Sequence, residues 1–299
     1  MFDDESFDVN YKSIEQIIPA QKVNMDGHFL DQPLPVGILD QHDPFLLIHH
    51  WNNPLKGQSK QNEVGVGPHP HRGFSPVTFI YRGAVHHRDS RGNNSIVEAG
   101  GTQWMNAGMG ITHSERPTAE LAETGGPFEI IQVWINSPAS HKMIQPAYQA
   151  VNKETTPTFT SSDQKATCAV VCGEQFGLMG PVKSDWPIMA LRIHLEKDGS
   201  LDVNVPTGFN TLLYNLNGTV EVNEERRCFM KDMVVFGQEN QNIKLTASDT
   251  TDILLLAGKP IEEKVAKNGP FVMNTETEIL EAFRDARMGK MGILIEEFD

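Results

Sequence analysis

Two short residue pairs in this sequence have the clearest capacity for chemistry. They are His69 and His71, in Gly67-Pro68-His69-Pro70-His71-Arg72-Gly73-Phe74, and His113 and Glu115, in Gly108-Met109-Gly110-Ile111-Thr112-His113-Ser114-Glu115. Residues two apart on an extended chain project to the same side, so each pair aims two donors in one direction. Two such strands lying side by side make a four-point cage. Three imidazoles and a carboxylate suit a single borderline first-row dication such as Fe(II), Mn, Co, Ni, Cu or Zn. In an octahedral ion that donor set leaves positions for water, substrate or dioxygen, which is the layout of an open, catalytic site. The spacing specifies a metal without specifying which one.

The remaining candidates are weaker. Of the eleven histidines, only His194 lies well inside the second half of the chain, so metal chemistry belongs to the first half. His49-His50 and His86-His87 are adjacent pairs whose side chains point to opposite faces of a strand, so neither chelates as His69 and His71 do. They read as loop or strand-end residues, with His87 a candidate for supporting a ligand from behind. Cys168, Cys172 and Cys228 match neither a CxxC redox pair nor a thiolate zinc site and read as reduced core residues. The run Glu224-Glu225-Arg226-Arg227 reads as a solvated turn.

The cage needs strands to hold it. Strand-like alternation punctuated by Gly, Pro and Asn recurs from about Val36 to Gly258, and the chain is expected to be all-β. Met189, Leu191, Ile193 and Leu195 alternate with polar or small residues, and Leu201, Val203 and Val205 resume the pattern after Asp198-Gly199. Asn217-Gly218, between Leu212–Leu216 and Thr219–Val222, predicts a tight antiparallel hairpin. One helix is predicted from Glu276 to Met288, with Thr275 and Glu278 as a capping box, Ile279, Ala282, Phe283 and Ala286 as its apolar stripe, and Gly289 as its stop. It is expected to close a sandwich and to carry no chemistry. At 299 residues the chain is long enough for two domains, and the polar stretch after Asn136 places the boundary near residue 140, giving 1–140 and 141–299.

Charge narrows the partners. Lys and Arg number 25 against 39 Asp and Glu, a net charge of −14, which disfavours direct binding to nucleic acid. The start, Met1 to Asp8, is acidic and has no secretory layout, and no apolar run is long enough to span a bilayer. A soluble, cytoplasmic protein is expected, with a monomer as the default.

The same residues resemble the pirin family, a branch of the cupin superfamily. The resemblance is carried by Asp43-Pro44-Phe45-Leu46-Leu47, His69-Pro70-His71-Arg72-Gly73-Phe74, His87-Arg88-Asp89-Ser90 with Gly92-Asn93, Gln103-Trp104-Met105, Gly110-Ile111, His113-Ser114-Glu115 and Gly269-Pro270-Phe271-Val272-Met273-Asn274. It implies two tandem cupin-type β-sandwiches, an N-terminal one binding metal through His69, His71, His113 and Glu115, and a C-terminal one without metal. It also implies iron as the usual ion. Two features depart from the family pattern. Ser75-Pro76 stands where the family commonly has Glu-Thr, so a carboxylate near the site is missing while the four ligands remain, and an acidic extension, Met1 to Asn10, precedes the usual family start.

Three functions follow as expectations. A quercetin 2,3-dioxygenase would open a flavonol with dioxygen, Glu115 serving as ligand and as the base for the flavonol hydroxyl. An iron- or redox-sensing protein would instead dock on a protein partner, for which an acidic surface suits a basic counterpart. A sugar-phosphate isomerase would need clustered cations, and Arg72, Arg82, Arg88 and Arg116 are scattered in the sequence.

Overall fold

The computed structural model describes residues 10–25, 27–37 and 39–298; the acidic extension falls outside them except for Asn10. Strands dominate, as the alternation predicts, and they assemble into two units that repeat one plan: a seven-stranded antiparallel sheet facing a four-stranded one. Each is a β-sandwich of the cupin type.

In the first unit the large sheet includes Ile188–Leu195, Asn210–Asn215 and Thr251–Gly258, and the small one includes Ser200–Asn204, Thr219–Val222 and Asn242–Ala247. Met189, Leu191, Ile193 and Leu195 from the large sheet meet Leu201, Val203, Val220, Val222, Ile243 and Leu245 from the small one. Cys168 and Cys228 lie fully buried in that core, all three cysteines are free, and burial raises the Cys168 thiol to about 12. Its core cluster is apolar, and His194 is 39% exposed on the outer side.

The predicted hairpin is corrected here. Asn210–Asn215 and Thr219–Val222 do not pair with each other; they belong to different sheets, and Asn217-Gly218 carries the chain across. The turn is built as its residues require. Asn217 accepts from the Asp252 backbone N–H and donates to the Asp252 carboxylate, both at 2.8 Å, and Gly218 sits at φ 66° against Thr250 and Thr251. The strand leading in is buried from Thr211 to Asn215, so it has no wet face of the sort an isolated hairpin presents.

The second unit holds the predicted site. Its large sheet runs in the order Ala147–Val151, Thr102–Asn106, Phe74–Arg82, Glu129–Asn136, Phe45–Asn52, His28–Leu34 and Gln21–Met25. Its small sheet runs Val66–His71, Ile111–Pro117, Ala84–Asp89 and Asn94–Glu98. Leu30, Trp51 and Ile80 from one sheet pack with Val85 and Val97 from the other.

The units are not separated by one cut near residue 140. The first comprises 1–19, 157–180 and 188–260; the second comprises 20–156, 181–187 and 261–299. Ile14–Pro19 leaves the N-terminal half because it pairs with Asp232–Phe236. The polar stretch after Asn136 stays in the second unit because Lys142, 1% exposed, donates to the Gly73 and Val272 carbonyls and to Asn136 Oδ1. The helix spans Glu276–Arg287 with the expected Thr275–Glu278 capping box, and Ile279 and Ala282 bury themselves against Ala266, Phe271 and Met273 of a small hairpin in the same unit. Among the described residues no helix is long and apolar enough to cross a membrane.

Candidate metal centre

His69 and His71 end their own strand, Val66–His71, which pairs antiparallel with Ile111–Pro117 so that His69 stands opposite His113. Between them and Phe74–Arg82 the chain turns at Gly73, whose φ of 85° and close approach to the Val272 carbonyl leave no room for a Cβ. The two strands that carry the pairs are therefore neighbours, as the cage requires.

Three imidazoles converge. Among the described residues, His69, His71 and His113 form the one group of potential ligands whose donor atoms lie within 4.8 Å of one another. Nε2 of His69 is 2.9 Å from Nε2 of His113. His69 Nδ1 faces the Gly67 carbonyl at 2.8 Å and His71 Nδ1 the Pro270 carbonyl at 3.1 Å. A carbonyl only accepts, so each Nδ1 carries the proton and each Nε2 presents a lone pair toward the centre. His71 Nε2 is buried and has no hydrogen-bond partner among the described residues. Burial, with His69 nearby, pushes His71 and His113 well below the usual histidine range, so both rings are neutral, the form that binds a cation. A buried, unpartnered lone pair beside two more imidazole nitrogens fits a metal ion.

Glu115 stands beside this triad, with Oε2 4.0 Å from His113 Nε2. Its carboxylate reaches across to the opposite sheet, where Thr78 donates to Oε1 at 2.7 Å and Gln132 donates to Oε2 at 2.6 Å. Thr78 and Gln132 belong to a polar row, His49, Gln132, Thr78 and Gln103, formed by direct cross-strand register over four neighbouring strands. A cavity of 50 Å³ lies here, bounded by His49, Val66, Glu115 and Gln132. The polar support for Glu115 thus comes from Thr78, three residues past Ser75, and from Gln132. Sequence reasoning missed both.

The other histidines have separate duties. His86 and His87 lie within the strand Ala84–Asp89, not at a loop, and His87 is buried, 3.1 Å from Asp89 Oδ2 and stacked on Tyr148 at 3.9 Å. Its ring centroid is 5.4 Å from that of His113. His50 pairs with Glu129 at 3.0 Å. His86 lines a larger open groove of 1270 Å³ with Lys60, Glu98 and Thr118, which contains none of the triad. Met105 and Trp104 are 2% exposed, and Met105 packs with Ala107 and Ile111.

Comparison with known proteins agrees with the fold. Residues 28–135 match the pirin domain and residues 190–292 match the pirin C-terminal cupin domain. Rat pirin is 33% identical over 256 residues, covering 84% of this chain and 83% of its own. Pirin-like protein 2 of Arabidopsis thaliana is 33% identical over 258 residues, covering 84% of this chain and 76% of its own. The crystal structure of quercetin 2,3-dioxygenase from Acinetobacter baumannii superposes with a TM-score of 0.89 at 33% identity, over 96% of this chain and 100% of that one. With two domain matches in register and relatives aligned over most of their lengths, this chain belongs to the pirin family.

Proposed function

We propose that this protein is a metal-dependent dioxygenase of the quercetin 2,3-dioxygenase type, with one Fe(II) held by His69, His71, His113 and Glu115. The observation that carries the reading is the buried, unpartnered Nε2 of His71 among two further imidazoles, next to a carboxylate already fixed by Thr78 and Gln132. The likeness to the Acinetobacter enzyme supplies the substrate class.

When bound, the ion supplies Lewis acidity and a redox partner for dioxygen. The chain supplies the rest. Glu115 takes the proton of the flavonol hydroxyl at a carboxylate oxygen; each oxygen already accepts one hydrogen bond, which leaves one lone pair for the ion and one for the proton. The cavity beside Glu115 is small and is lined by none of the three imidazoles. A flavonol is larger and enters on the side of His69, the half-buried member of the triad, whereas His71 and His113 are each 2% exposed.

The test is elemental analysis of the purified protein beside His113→Ala, followed by an oxygen electrode and carbon monoxide detection with quercetin and the Fe(II)-loaded protein. Near-stoichiometric metal that His113→Ala loses, with oxygen uptake and carbon monoxide release, is the expected result. Metal without oxygen uptake on quercetin or related polyphenols refutes the activity, and failure to take up metal after reconstitution refutes the site.

A further inference from the structure

The indole of Trp134 packs on one proposed ligand and is linked to another through a single amide. Its ring lies 5.4 Å from the His71 ring at an interplanar angle of 73°, and 4.4 Å from Phe74. Its Nε1–H donates to Gln132 Oε1 at 3.2 Å, while Gln132 Nε2 donates to Glu115 Oε2 at 2.6 Å and approaches Thr78 Oγ1 at 3.5 Å. Gln132 and Trp134 are two apart on the strand Glu129–Asn136 and so share a face.

The donor and acceptor types leave one arrangement for this chain. An indole N–H only donates and an ionised carboxylate only accepts, so an amide between them must turn its oxygen to Trp134 and its NH₂ to Glu115. Were the Trp134 donor absent, the Gln132 oxygen would lose this restraint and the amide plane could rotate, taking its NH₂ off the line to Oε2. The same indole packs edge-on to His71, so one side chain of the large sheet braces a ring and, through Gln132, a carboxylate on two neighbouring strands of the small sheet.

Resting on the reading of Glu115 as a ligand, we propose that Trp134 is a positioning residue that locks the Gln132 amide, and through it the Glu115 carboxylate, in the orientation the metal requires. The triad is assembled by strand pairing, whereas the carboxylate arm is assembled by this relay. Loss of the relay therefore removes the fourth donor and leaves three imidazoles.

The experiment compares Trp134→Phe, which keeps an aromatic ring against His71 but removes the N–H, with Glu115→Gln and with the unaltered protein. Chelator competition measures metal affinity, the visible absorption of the cobalt(II)-loaded protein reports the coordination number, and thermal melting of the metal-free protein controls for packing. Trp134→Phe is expected to lower affinity about tenfold and to move the cobalt spectrum in the direction Glu115→Gln moves it, with little change in metal-free melting. A third variant, Gln132→Glu, sets a second carboxylate against Glu115 and is expected to show the same spectral change. If Glu115→Gln alters affinity and spectrum while Trp134→Phe alters neither, the relay is overturned and the ligand assignment stands. If Glu115→Gln also leaves both unchanged, the ligand assignment falls and the relay with it.

Discussion

At the scale of single residues, the structure distinguishes donors that announce themselves from supports that do not. Histidines two apart between glycines are rare enough in type and spacing to be read directly, and His69, His71 and His113 do converge. Thr78 and Gln132 carry no such signature, because threonine and glutamine are ordinary strand residues whose meaning depends on which strand lies alongside. Cross-strand register alone sets them opposite each other and under Glu115. Ser75 marks the absence of a carboxylate in the sequence, yet the polar contact that matters is made by Thr78, three residues further on. Thr78→Val is nearly isosteric and deletes the donor to Oε1, so it should weaken metal binding by roughly tenfold, as loss of a group that orients a ligand commonly does. Thr78→Ser keeps the hydroxyl and should bind as the unaltered protein does; chelator competition on the three proteins decides it.

At the scale of elements, alternation identified the strands and the capping box identified the helix, but neither told which strand pairs with which. Asn217-Gly218 shows why. The residue types fit a tight turn equally well whether its arms pair or part, and what parts them is the burial of Thr211 to Asn215 within a sheet whose neighbours come from far along the chain. The polar stretch after Asn136 misleads in the same way. It contains Lys142, a charged residue that reads as solvent-facing, and the structure buries it under three acceptors. Burial depresses the Lys142 ammonium to about 7 from an ordinary value of 10.5. Below about 7 both folded and unfolded chains hold the proton there; between that value and 10.5 the unfolded chain binds it more strongly, so stability rises with pH across this window. Lys142→Met removes the titration. The difference in melting temperature between the unaltered protein and this variant should therefore grow in favour of the unaltered protein from pH 7 toward pH 10, measured by calorimetry at matched ionic strength.

At the scale of the whole molecule, the four expected ligands lie between residues 69 and 115, yet the unit that holds them is completed by residues 261–299. The contacts fall on the ligands themselves and on their immediate neighbours. The Pro270 carbonyl fixes the tautomer of His71, and Asp285 pairs with Arg72 at 3.1 Å. Thr112, next to His113, donates to the Gly292 carbonyl at 3.0 Å, and Arg116, next to Glu115, makes a two-pronged pair with Glu296 at 2.7 and 2.8 Å. Strand alternation explains the division of labour: His113 and Glu115 point inward, while Thr112 and Arg116 point outward to the C-terminal segment. Such long-range complementarity leaves no trace in local sequence, which is why the closing helix reads as having no part in the chemistry. A chain ending at Pro260 keeps every ligand but uncovers Leu46 and Phe74, which pack on Val272, and frees the His71 ring to flip. It is expected to lose metal, by elemental analysis, as completely as His113→Ala does. The first unit contains no part of 261–299, so its apolar core should still melt cooperatively in a calorimeter. Near-stoichiometric metal in the shortened chain would mean that strand pairing alone holds the triad and that the C-terminal segment adds stability only.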